Sequence, residues 1–279
     1  MKMKNIKKIL AVLLAVAIIG AVFVACSKGG ESADTTAANG ETAAASSDSD
    51  LGKITGAGKI VVGITDYEPM DYKADDGSWT GFDAELATMV AEKLGVKVEF
   101  VEINWDNKFI ELESGTIDCI WNGMTVDDQV KANCDVSTSY ATNSQVVVMS
   151  KESLDKYPDA ESMKDLTIAV EKGSAGEKEA LKITSNVVSL SAQSDAIKDV
   201  KGKASDACII DSTMANSLTA DGKDFADLGY KVALTTEEYG AGFRKGSDLV
   251  EKVNEILAGF KADGTLQKLS DKYGVNLAE

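Results

Sequence analysis

The 279-residue chain is 44% hydrophobic and 27% charged, a balance that supports a buried core and argues against overall disorder. It contains no histidine, which removes Ser-His-Asp triads, Cys-His pairs and His-ligated metals from the available mechanisms. With 45 acidic residues against 29 basic ones, a formal charge of −16 and a single arginine, Arg244, it lacks the concentrated cationic surface that a phosphate backbone requires. No nucleic-acid partner, metal or cofactor is expected.

The N-terminus opens with Lys2, Lys4, Lys7 and Lys8, followed by 17 apolar or small residues from Ile9 to Ala25. That run is short for a spanning helix, which needs about 20 residues, and fits an export signal over residues 1–25. Val22-Phe23-Val24-Ala25-Cys26 resembles a bacterial lipobox, which would make Cys26 the lipidated first residue of the mature protein. Phe23 stands where a Leu-like residue is usual. Residues 26–55 are then expected to be a tether: the stretch is rich in Ala, Ser, Thr, Gly and acids, has no aromatic residue, and buries too little to offset its ordering entropy. Cys119, Cys134 and Cys208 are an odd set without framework spacing and read as small buried hydrophobes.

From Lys59 onward strands and helices alternate. Lys59–Gly63 is a β-branched run ended by glycine. Phe82, Leu86, Val90 and Leu94 recur at four-residue steps, so Asp83–Leu94 reads as a helix with Gly95 after its end. Val96–Ile103 alternates as a strand, Asn107–Glu113 reads as a helix, and Ile117–Trp121 as a strand. Residues 146–149, 167–170, 186–190 and 207–210 are further short apolar runs. Leu249, Val250, Val253, Ile256, Leu257 and Phe260 form one apolar helix face, with Ser247 placed as N-cap. The pattern is α/β with mostly parallel sheets, in which ligands sit beyond the carboxyl ends of strands. Composition shows no seam between Ala57 and Glu279, which leaves one large sheet and two lobes equally open.

Four segments carry a resemblance: Gly63-Ile64-Thr65-Asp66-Tyr67-Glu68-Pro69-Met70, Gly81-Phe82-Asp83-Ala84-Glu85-Leu86, Asp118-Cys119-Ile120-Trp121-Asn122-Gly123-Met124-Thr125, and Asp206-Ala207-Cys208-Ile209-Ile210-Asp211. In order and near-family spacing they resemble the polar amino-acid-binding family of ABC-importer solute-binding proteins. The resemblance implies a two-lobed, periplasmic-binding-protein-like fold with two crossing segments, near Ala141–Gln145 and Thr235–Tyr239. Residues 56–141 and 240–279 would form lobe one, and 146–235 lobe two. It also implies a monomer that carries a small solute to an ABC permease.

The same resemblance assigns site residues. Tyr67 and Met70 would present a wall to the ligand, and Trp105 a face for stacking on a planar or cationic group. Asn122, Gly123 and Met124 would offer carbonyls to an ammonium, and Thr125 a hydroxyl to a carboxylate. Ser174, at a helix start, would seat an anion. Asp211 would pair with the ligand's α-ammonium, since a carboxylate ending an apolar strand is costly to bury alone. The pattern breaks at Val130, where the family usually places an arginine for the α-carboxylate. Three readings stay open: a carboxylate held by amides and hydroxyls, one held by a relocated lysine such as Lys131, or an amine lacking that carboxylate. A secreted dehydratase on the same fold and a receptor ectodomain are the competing classes. Binding for uptake, without catalysis, is the reading favoured.

Overall fold

The computed structural model describes residues 46–279; the export signal, Cys26 and most of the expected tether lie outside them. The tether reading is corrected at its end, because residues 50–57 form helix α1 (Asp50–Ala57). The Ser49 hydroxyl accepts the Gly52 N–H at its start, Ile54 is buried, and Gly58 closes it in the left-handed region. Arg244 holds this helix in place. Its guanidinium pairs with Asp50 at 2.9 Å and Asp118 at 3.2 Å and donates to the carbonyls of Leu112 and Ile117. Five donors in one rigid fork suit such a junction.

The first half of the chain runs β1 (Lys59–Ile64), β2 (Tyr72–Lys73), β3 (Trp79–Thr80), α2 (Phe82–Lys93), β4 (Lys97–Glu102), α3 (Lys108–Ser114), β5 (Cys119–Ile120), α4 (Asp128–Asn133) and β6 (Asp135–Val136). A crossing strand, β7 (Ala141–Asn143), leads to β8 (Gln145–Ser150), β9 (Ile168–Glu171), α5 (Ala175–Ile183), β10 (Val187–Leu190), α6 (Gln193–Lys201), β11 (Ala207–Asp211), α7 (Ser212–Leu218) and β12 (Leu228–Ala233). The return passes through β13 (Glu237–Tyr239) and β14 (Gly242–Phe243) into α8 (Leu249–Ala262) and α9 (Thr265–Tyr273).

Two five-stranded sheets result, ordered β4-β1-β5-β14-β6 and β10-β9-β11-β8-β12. Each has a parallel core, β4-β1-β5 or β10-β9-β11, extended by antiparallel strands, so the sheets are mixed. Strands β9 and β11 are buried along their whole length, which explains their apolar sequence up to the acids, Glu171 and Asp211, that end them. The lobes are joined by β7 and β13, an antiparallel pair in register from Glu237↔Asn143 to Tyr239↔Ala141. Helices α8 and α9 return to α2 in lobe one, burying Leu249, Val253, Leu257 and Phe260. The cap of α8 falls one residue later than read: Asp248 holds that position without a side-chain bond, while the Ser247 hydroxyl accepts the Leu249 N–H. Cys119, Cys134 and Cys208 are all unpaired and buried. No helix among the described residues is long and apolar enough to cross a membrane.

Candidate functional site

The carboxyl ends of β5, β9 and β11 point toward one another across the gap between the sheets, as parallel strands do at a binding crevice. Several ties draw the lobes together there. Lys172 pairs with Asp106 at 3.0 Å, Lys178 pairs with Asp127, and Glu68 accepts from Ser217 and Lys223. Gly173 has a φ of +73°, and a Cβ there would lie 2.9 Å from the Asp106 backbone, so only glycine lets the lobes approach this closely. A cavity of about 30 Å³ remains between them, lined by Trp105, Lys108, Phe109, Asn122, Gly123, Met124, Thr125, Val130, Glu171, Ser174 and Asp211 among others. That space takes a water and not an amino acid, so a solute enters only if the lobes part or a lining side chain moves.

Asp211 ends β11 and is 3% exposed. Its Oδ1 accepts from the amides of Asn143 and Gln145, both at 2.5 Å, and its Oδ2 from Gln193 at 2.5 Å. Burial, and then the charge of Glu237, push its pKa up to about 6, while the amides and the Tyr67 hydroxyl favour the carboxylate. Among the described residues it has no cationic partner. Glu171 ends the neighbouring strand β9 and is 2% exposed, with Oε1 unbonded. Burial and Asp211 push it up to about 8, with Lys108 opposing.

Lys108 is also buried and points into the cavity wall. Its ammonium donates to the carbonyl of Trp105 at 3.1 Å and, across the gap, to that of Gly173 at 3.0 Å. It also lies 4.7 Å from the Trp105 ring centroid and 4.8 Å from that of Phe109. Burial pulls its pKa down to about 8. The cation expected over Trp105 is therefore the protein's own. Its signal in the sequence was a lysine one turn before Leu112, on the buried face of α3.

The other expected residues are placed as follows. Tyr67 and Met70 are fully buried and do not line this small cavity, though the Tyr67 hydroxyl reaches Asp211. The Tyr67 hydroxyl meets that of Tyr239 at 2.6 Å. Gly123 has a φ of +55°, and an added Cβ would lie 2.6 Å from the Tyr67 ring; the close approach it permits is to that tyrosine. Thr125 spends its hydroxyl on Glu237 at 2.9 Å instead of leaving it for a carboxylate. Lys131 is exposed and lines a separate groove, so it is not the relocated cation. Met124 lines the cavity, but its carbonyl accepts the Gly240 N–H. Asn122 is fixed by Thr65 and Asp71, and among the described residues the carbonyls of Asn122 and Gly123 accept nothing.

Ser174 caps α5 by accepting the Glu177 N–H at 3.1 Å, and Glu177 reaches back to the Gly173 N–H at 2.8 Å. This reciprocal box uses the serine and leaves the N–H groups of Ala175 and Gly176 without acceptors among the described residues. Among the described residues the site thus holds a carboxyl lacking a cation, an ammonium with one of its three donors free and two free amides. It can grip a small zwitterion. No group of three or more potential metal ligands occurs among the described residues.

The profile of the bacterial extracellular solute-binding proteins, family 3, matches residues 60–276. The L-cystine-binding protein TcyJ of Escherichia coli (strain K12) is 30% identical over 227 residues, covering 80% of this chain and 85% of its own length. The arginine-binding extracellular protein ArtP of Bacillus subtilis (strain 168) is 30% identical over 241 residues, covering 83% and 91%. A crystal structure of a Streptococcus pneumoniae ABC uptake transporter substrate-binding protein with bound histidine aligns with a TM-score of 0.76 at 34% identity, covering 84% of this chain and 99% of that one.

Proposed function

The chain belongs to the bacterial extracellular solute-binding proteins of family 3, and from that membership we propose that it captures an amino acid or close derivative between its lobes and hands it to an ABC permease. Asp211 takes the solute's ammonium, assisted by the carbonyls of Asn122 and Gly123, while Trp105 and Phe109 face its side chain. Export and lipidation at Cys26 would hold the monomer at the outer face of the membrane, where two or more acyl chains anchor stably. The observation that carries the binding reading is Asp211 itself: a buried carboxyl held by three amides, with no cation among the described residues, lining a cavity. Unlike the enclosed Asp71 and Asp83, it borders open space from which an ammonium could neutralise it.

Isothermal titration of the purified protein with the twenty amino acids, L-cystine and common amines tests the reading. Saturable binding of an amino acid in the micromolar range or tighter, without turnover, is the expected result. Product formation from prephenate or arogenate would replace it with the dehydratase reading, and silence across the whole panel would remove it.

A further inference from the structure

We propose that Lys108, together with the amides that open α5, is the seat for the solute's carboxylate. The inference rests on the amino-acid reading above and adds the group that distinguishes an amino acid from its amine. The other cations near the cavity are committed. Lys178 is bound to Asp127 and Lys172 to Asp106. Lys131 lies in another groove, and Arg244 is spent on Asp50 and Asp118. Val130, on the same wall as Lys108, is apolar.

Among the described residues near the cavity, Lys108 alone has no acid within ion-pair distance. An ammonium has three donors; two of them reach the carbonyls of Trp105 and Gly173, which leaves the third for the cavity. No carboxylate lies within ion-pair distance of it among the described residues, so its buried charge lacks the partner that burial demands. The bond to Gly173 sets the ammonium beside the turn into α5, where the N–H groups of Ala175 and Gly176 carry the positive end of the helix dipole. A second observation points to a ligand in the same turn. Glu171 has a fully buried Oε1 with no partner, and since burial holds it protonated up to about 8, at neutral pH it presents an O–H donor. Lys108, Glu171 and Ala175 all line the same cavity, and Lys108 is tied to the turn before α5 through the Gly173 carbonyl, which puts donors on that side of it. Asp211, on the next strand, provides the opposite pole. The arrangement matches a zwitterion, with the carboxylate bridging both lobes through Lys108.

The test is calorimetric titration of the full-length protein with matched pairs: L-histidine and histamine, L-arginine and agmatine, L-cystine and cystamine. Wild type is expected to prefer the amino acid of the pair it binds by about tenfold or more, the size of a charged hydrogen bond. Lys108→Met should bring that ratio to within about threefold, and Lys108→Arg should keep it. Thermal melting checks that each variant folds; should the Met variant fail to do so, Lys108→Gln replaces it. A ratio unchanged in a folded, uncharged variant overturns the inference and leaves the amino-acid reading intact. Wild type binding the amines as tightly as the amino acids also overturns it. If wild type binds none of these, the amino acid found by the titration above is paired with its own decarboxylated amine; binding of no amino acid at all removes both readings.

Discussion

Each lobe buries a pair of carboxylic acids near the cavity, and the two pairs are solved differently. In lobe one, Asp71 and Asp83 are wholly enclosed. Asp83 accepts the Gly123 N–H at 2.5 Å and the Tyr140 hydroxyl at 2.8 Å, and Asp71 accepts the Asn122 amide at 2.8 Å. In lobe two, Glu171 and Asp211 stand at strand ends and face the cavity. Burial raises the pKa of all four, so a shifted carboxyl by itself marks nothing. The difference lies in what the pair can reach. The first serves the loop Asn122–Met124 from behind and is sealed from any solute; the second has open space before it and an acid without a cation. One pair shapes the site and the other binds.

The largest effect that separates them is expected at Asp211. Asp211→Asn should weaken binding of the amino acid by about a hundredfold, roughly 2.7 kcal/mol, measured by titration, because an amide cannot neutralise an ammonium. A loss of less than about threefold would show that Asp211 is as structural as Asp83. Next comes Asp83→Ala, which leaves the Gly123 N–H and the Tyr140 hydroxyl buried without acceptors. It should cost about 1–3 kcal/mol of stability in denaturant unfolding while moving affinity by less than about fivefold. An intact stability with abolished binding would reverse the roles of the two pairs.

The smallest effect is the pH profile of affinity. Ammonium binding needs ionised Asp211, and its pKa near 6 means the proton must be removed first below that value. Affinity should fall as pH drops through 6, by up to about tenfold or 1.4 kcal/mol per unit. Near 8 Lys108 loses its charge, which removes an attraction to a carboxylate, and Glu171 gains one, which repels it, so affinity should fall again above 8. A flat profile from pH 5 to 9 would mean that neither pole is read electrostatically.

The fold was legible where periodicity is strong. Phe82, Leu86 and Val90 mark α2, and the β-branched runs mark β1, β8 and β11, because a buried face leaves a repeat in the sequence. Helix α1 was not legible: Ile54 is its single buried residue, and what holds it is Arg244, nearly two hundred residues away. In the site, Asp211 was readable as an acid ending an apolar strand and Trp105 through the family resemblance. Glu171 gave no signal beyond ending the apolar run 167–170. Gln145, Gln193 and Glu237 left no trace, since a polar residue at a strand or helix start is ordinary until the fold brings it to Asp211. Tyr67 was legible in its place after β1, but not in its packing: Gly123 lets the ring press against the loop, with its hydroxyl on Tyr239 and Asp211.

The central claim is that the lobes hinge at β7 and β13 and close over a charged solute. Spin labels on Lys131→Cys in lobe one and Lys182→Cys in lobe two, both exposed sites in a protein whose described cysteines are buried, would report the separation by pulsed dipolar spectroscopy. Adding the amino acid found by titration should collapse a broad distance distribution onto its shortest component, and Asp211→Asn should remove that response. An identical distribution with and without a bound solute would contradict the account.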